Sequence, residues 1–161
     1  MTNKILLIAC ALLCLVGCKD EKNEPNSLIG QVEKPDWVAV ADYDLTSSMT
    51  AVVQVDLSLS FPKEQLQSAQ YQPSPNDVLA VFADDECLGV GKEIDGLWHI
   101  YITPPMQSTP STVILRYYSA SLKNIFVGSE LITYKNDTQL GSTDNPYIPK
   151  FVMEEPIAVE K

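Results

Sequence analysis

The amino-acid sequence predicts an all-β domain: an antiparallel β-sandwich, immunoglobulin-like or related, of about seven to eight strands, with a barrel of similar size as the alternative. Three observations predict it. Runs rich in β-branched, aromatic and other apolar residues recur roughly every ten residues, the spacing of a sandwich or barrel. Turn-forming clusters separate these runs, Asp95-Gly96 foremost. No stretch carries the apolar spacing of an amphipathic helix of ordinary length.

The elements follow in chain order. Trp37 to Ala41 reads as a first strand. In Thr50 to Phe61, Ala51, Val53, Val55, Leu57, Leu59 and Phe61 fall on one face, while Gln54, Asp56, Ser58 and Ser60 fall on the other. A period of two over that length predicts one half-buried strand, which Pro62 ends. Lys63 to Gln72 reads as a loop with room for one helical turn, and Pro73-Ser74-Pro75-Asn76 is a breaker. Asp77 to Ala83 and Glu86 to Gly91 form a hairpin around Asp84-Asp85. Asp95-Gly96, a pair that tolerates the positive φ of a tight hairpin turn, joins Ile94 to the run Leu97 to Ile102. Pro104 to Pro110 is a loop. Thr112 to Ser119 and Ile125 to Tyr134 are strands around the turn Ser121-Leu122-Lys123-Asn124, and Ile148 to Met153 is a last strand. One folded domain is expected over 35–153, followed by an acidic tail over 154–161 that contains Pro156.

The first seventeen residues are set apart. Lys4 precedes an apolar run from Ile5 to Val16 that is short for a bilayer span, and Gly17-Cys18 follows. A basic start and a short apolar run predict a secretory leader over 1–17. Leu15-Val16-Gly17-Cys18 resembles the bacterial lipobox. That resemblance implies cleavage before Cys18, acylation of its thiol and amine, and an outer-membrane lipid as the partner held through Cys18. Two or three chains anchor a protein durably, because each buried methylene contributes about 0.8 kcal/mol. Cys10 and Cys14 leave with the leader.

Residues 18–34 are expected as a flexible acidic tether, since Lys19-Asp20-Glu21-Lys22-Asn23-Glu24-Pro25-Asn26-Ser27 holds no apolar residue and cannot bury enough surface to fold. The charged residues after Cys18 resemble the export signal of Bacteroidetes surface lipoproteins, which implies a domain facing the cell exterior. Leu79-Ala80-Val81-Phe82, Asp84-Asp85-Glu86-Cys87-Leu88-Gly89-Val90, Val113 to Tyr118 and Asn136 to Gly141 together resemble a module of Bacteroidetes surface and secreted proteins. This second resemblance covers 77–145 and implies a β-sandwich without an agreed activity or any catalytic residue.

The chain carries a net charge of −10, and Arg116 is its only arginine. Nucleic-acid binding depends on Lys and Arg neutralising phosphates, so DNA and RNA are excluded as partners. Cys18 and Cys87 are the cysteines past the leader. An acylated Cys18 leaves Cys87 with no partner for an intramolecular disulfide, and the apolar core must supply the stability.

Candidate sites are few. Cys87 and His99 would form a catalytic dyad only within hydrogen-bonding reach of each other; Cys87 lies beside Leu88 and Val90, where a free thiol packs as a small hydrophobe. Asp42, Asp44, Asp84 and Asp85 are weak calcium candidates, because calcium wants six to eight converging oxygens. Trp37, Tyr101, Tyr117 and Tyr118 are candidate binding aromatics, while Trp98 shares a strand face with Ile100 and Ile102 and belongs to the core. Arg116 lies in an apolar strand and must snorkel to water or pair with a carboxylate, with Glu86, Asp56 and Asp84 as possible partners. No cofactor is implied.

These residues lead to an expectation of a lipid-anchored, surface-exposed, non-enzymatic binding or scaffold module for a glycan, a host protein or an outer-membrane assembly partner. The alternatives are a small hydrolase whose carboxylates converge in space and a structural subunit that pairs through a strand edge. Exposed aromatic loops would favour binding, converging carboxylates in a pocket would favour the enzyme, and a long uncharged edge would favour assembly.

Overall fold

The computed structural model describes residues 27–44 and 46–154; residues 1–26, which include the expected leader and Cys18, and the tail from 155 lie outside the described residues. Ten strands form in chain order: β1 (Met49–Val53), β2 (Val78–Ala83), β3 (Glu86–Val90), β4 (Lys92–Ile94), β5 (Leu97–Ile102), β6 (Thr112–Ser119), β7 (Asn124–Gly128), β8 (Ile132–Thr133), β9 (Thr138–Leu140) and β10 (Phe151–Met153). They make two sheets, ordered β4-β5-β1-β9 and β10-β7-β6-β2-β3, with β8 on the start of β6. No barrel closes, and the fold is an all-β sandwich-like one. Every strand pairing is antiparallel except β1 with β9.

Period two places the core. Ala51 and Val53 of β1, with Trp98, Ile100 and Ile102 of β5, face Leu79 and Val81 of β2, Leu88 of β3, Val113, Leu115 and Tyr117 of β6, Phe126 of β7 and Phe151 of β10. Both predicted hairpins form. Asp84 takes φ 50° in the β2–β3 turn, and Asp95 and Gly96 take 53° and 81° in the β4–β5 turn. Aspartate and glycine tolerate this left-handed region because one has a short polar side chain and the other no Cβ.

The Thr50 to Phe61 strand is corrected. β1 ends at Val53, and Leu57–Leu59 form a 3-10 helix. Asp56 is the cause: its Oδ1 accepts from the Ser58 N–H at 2.9 Å and the Ser58 hydroxyl at 2.6 Å, and this local capping competes with the ladder. Leu57 is consequently buried while Leu59 is exposed. Lys63–Ser68 form α1, the one α-helix among the described residues. The Ile125 to Tyr134 run is split into β7 and β8, and β9, a short polar strand, is additional to those expected.

Trp37 to Ala41 is also corrected, since no strand forms there. Residues 28–41 make a strap across the second sheet. Leu28 is 2% exposed and belongs to the core, so 28–34 are part of the domain rather than tether. The Gly30 and Val32 N–H groups donate to the Leu122 and Lys123 carbonyls at 2.9 Å, in the β6–β7 turn. The Tyr118 hydroxyl donates to the Val32 carbonyl, and further along the Val40 N–H donates to the Cys87 carbonyl at 2.9 Å. Between these points the strap covers Ala80, Phe82 and Cys87, a small apolar cluster on the face of the sheet away from the core. At the other end of the chain, Glu154 still belongs to the fold, its N–H donating to the Ile125 carbonyl.

Candidate binding groove

An open groove gathers the exposed Tyr43 and Tyr101 with the partly buried Trp37. Its volume is about 470 Å³, one wall being Trp37, Val38, Ala39 and Tyr43 of the strap and its continuation, the other Gly89 and Val90 of β3 with Tyr101 and Thr103 of β5 and its exit. The two walls are joined by backbone bonds. The Val40 N–H donates to the Cys87 carbonyl at 2.9 Å, and the Asp44 N–H to the Pro104 carbonyl at 3.0 Å. Gly89 allows β5 to approach, because a Cβ there would lie 2.3 Å from the Tyr101 carbonyl oxygen.

Trp98, Ile100 and Ile102 point into the core, so His99 and Tyr101 project from the opposite face. That alternation leaves Tyr101 54% exposed; Tyr43, Val38 and Val90 are 40%, 69% and 38% exposed. Trp37 is held edge-to-face on Phe82, with ring centroids 5.4 Å apart at 77°. No carboxylate, amine, guanidinium or imidazole lines the groove. Thr103, the two phenols and the indole N–H are its side-chain hydrogen-bonding groups.

Of the four aromatics read from the sequence, the structure brings Trp37 and Tyr101 together. Tyr117 and Tyr118 are 2% and 4% exposed, so neither offers a ring to a ligand. Tyr117 is a core residue: its hydroxyl donates to Asp77 Oδ2 at 2.6 Å, and burial pushes its pKa far above the usual phenol range. Asp77 also accepts from the Ser74 and Ala120 N–H groups at 2.9 and 2.8 Å, which ties the β6–β7 end to the loop before β2. Tyr43, Val38, Val90 and Thr103 were not anticipated. Only Tyr43 left a trace in the sequence, an aromatic flanked by Asp42 and Asp44 in a stretch without period.

The acidic candidates serve turns. Asp44 accepts from the Thr46 N–H and hydroxyl at 2.8 and 2.6 Å, which lowers its pKa. Asp42 lends its carbonyl to the Met106 N–H, and Asp84 shapes the hairpin. No three metal-ligating side chains converge among the described residues. Cys87 and His99 belong to different sheets, the thiol buried under the strap with its pKa raised by that burial and the imidazole on the outer face of β5.

Arg116 pairs with none of the three partners anticipated. Its guanidinium lies 3.6 Å from Asp85, 3.8 Å from Glu154 and 4.6 Å from the Phe82 ring centroid. Ala80 opposite Arg116 in the ladder leaves room for this reach toward the hairpin and the chain's exit. A second groove of about 380 Å³, lined by Gln72, Pro73, Ser74, Pro75, Asn76, Ala120 and Ser121, contains no titratable or nucleophile-activating group. No protein-family model matches the chain, and neither a curated protein nor a solved structure matches it.

Proposed function

We propose that this chain is a lipid-anchored outer-membrane protein, facing the cell exterior as in Bacteroidetes surface lipoproteins, that binds a ligand in the groove between Trp37, Tyr43 and Tyr101. One observation supports it above others: exposed aromatics from two distant parts of the chain line one uncharged groove. Aromatic side chains that packing would normally bury are common at binding surfaces when they stay wet.

The position of the groove suits an anchored domain. The strap's beginning and Glu154 both bond to the β6–β7 turn region, so the chain enters and leaves at one end of the second sheet. Trp37 rests on Phe82, which lies next to the β2–β3 turn at the opposite end. A tether from Cys18 would therefore hold the groove toward the side away from the lipid. The lining offers no acid–base pair, which favours binding over turnover. The edge strands β4, β9 and β10 are three residues each, β4 carries Lys92 and Glu93, and the five-residue edge β3 already has its Cys87 and Leu88 carbonyls taken by the Val40 and Thr103 N–H groups, which disfavours assembly through an edge.

Protease treatment of intact cells tests the address, with a periplasmic protein as the lysis control. The wild type should be degraded on whole cells, and Cys18→Ala should be lost from the membrane fraction. Protection of the wild type until the outer membrane is opened would refute surface exposure. Retention of the Cys18→Ala variant in the membrane would refute the lipid anchor.

A further inference from the structure

We infer that the groove docks a protein segment presenting an apolar side chain, such as Leu, Phe or Pro, flanked by lysine or arginine; this rests on the groove being the binding site and specifies its partner. The centre is largely apolar, and Met106, 62% exposed, is bonded through its own N–H to the carbonyl of Asp42, the residue before Tyr43. The rim is acidic. The strap and its continuation carry Glu33, Asp36, Asp42 and Asp44 against Lys34 alone. Asp36 and Asp42 are exposed and directly precede Trp37 and Tyr43, and Glu86, also exposed, begins β3. Lys92 is the cation that follows Val90 on the other wall.

An uncharged aromatic centre inside a charged rim is the anatomy of a protein-binding hot spot. The centre gives affinity by excluding water, and the rim sets the partner's sign and raises the association rate. With an acidic rim on a chain of net charge −10, the complementary rim is basic. A neutral glycan fits this lining less well. Ring hydroxyls are best recognised by carboxylate and amide side chains that accept and donate together, and the lining contains neither.

Random dodecapeptides displayed on phage and selected on the full-length protein in detergent test this. Recovered peptides are synthesised and titrated by tryptophan fluorescence, where Trp37 reports the groove and the buried Trp98 supplies a background. Enriched sequences should combine an apolar residue with lysine or arginine. Tyr101→Ala should weaken their binding at least tenfold, a loss typical of truncating a central aromatic. Asp36→Asn with Asp42→Asn should weaken it roughly fivefold, and salt raised from about 50 to about 500 mM should do the same to the wild type but not to the double variant. Tyr43→Ala stands in if Tyr101→Ala loses its β-sheet circular dichroism.

Enrichment without cationic residues, or salt-independent binding, overturns the basic partner. An array of neutral oligosaccharides runs in parallel. A glycan whose binding is lost in the groove variants overturns the protein partner and leaves the groove as a binding site. Peptides and glycans all indifferent to both variants overturn the site itself.

Discussion

Tyr117→Phe isolates a single buried hydroxyl. The Tyr117 ring lies against Trp98, Phe126 and Phe151, with centroids 6.4, 6.4 and 5.9 Å away, and phenylalanine keeps all three contacts. What is lost is the 2.6 Å bond to Asp77 Oδ2 and the 3.4 Å contact with the Tyr71 hydroxyl. A hydrogen bond to a charged group contributes about 1.5–3 kcal/mol, and the expected loss is about 2 kcal/mol, or about 8 °C in Tm for a domain of this size. Asp77→Ala should cost more, about 3–4 kcal/mol, because it also leaves the Ser74 and Ala120 N–H groups without their acceptor.

The double variant tests whether the hydroxyl acts through the carboxylate. Once Asp77 is gone, removing the Tyr117 hydroxyl should cost about 0.5 kcal/mol, giving a coupling of about 1.5 kcal/mol. Urea unfolding at pH 7 measures all four corners of the cycle. A Tyr117→Phe loss below about 0.5 kcal/mol would refute the contribution assigned to this bond. Additive single losses would show instead that the two groups stabilise the fold independently.

Burial raises the pKa of Tyr117, Tyr71 and Cys87, so each holds its proton more tightly in the folded chain. That stability is present below the ordinary values of 9.0 for the thiol and 10.0 for the phenols and is lost as pH rises above them. The urea midpoint should fall between about pH 9 and 11, with Tyr117 contributing about 1.4 kcal/mol per pH unit above its ordinary value, and Tyr117→Phe should flatten the slope. Leu28→Ala should destabilise by about 3 kcal/mol, against less than about 0.5 for the exposed Ile29→Ala; equal effects would return 28–34 to the tether. Gly89→Ala should cost about 3 kcal/mol because its Cβ meets the Tyr101 carbonyl. Gly96→Ala, strained by φ alone with nothing within 4 Å of its Cβ, should cost about 1 kcal/mol. Thermal melts separate these two.

The parts of the fold legible in the sequence were those in which the backbone's own rules decide. Asp95-Gly96 and Asp84-Asp85 set their hairpins, and Thr112 to Ser119 appears as β6 with the expected ends. Thr50 to Phe61 misled because its alternation is real, yet Asp56 and Ser58 offer the backbone a local partner that breaks the strand after Val53. β9 left no signal, as Thr138-Gln139-Leu140 is short and polar. It is held by Asn136, whose Oδ1 accepts from the Ser48 N–H at 2.7 Å, and by the Asp137 N–H donating to the Ser48 carbonyl at 2.8 Å. Such long-range pairing has no local periodicity to read.

The groove was half legible, and the missing half follows from β2. Val78-Leu79-Ala80-Val81-Phe82-Ala83 is apolar on both faces, and Leu79 through Phe82 are all buried. An antiparallel sheet with one wet face reads as alternation, so a continuous apolar run signals that both faces are covered. One cover is the opposing sheet. The other is the strap, whose Trp37 lies on Phe82 and whose path crosses Tyr118. That structural need accounts for Trp37, but not for Val38 or, just past the strap, Tyr43, which line the groove with Tyr101 and Val90. A strap serving only as a cover could carry polar residues at both positions. Exposed apolar side chains that the cover does not need are the reason the groove proposed as a binding site, rather than the strap, is the part of this chain to assay.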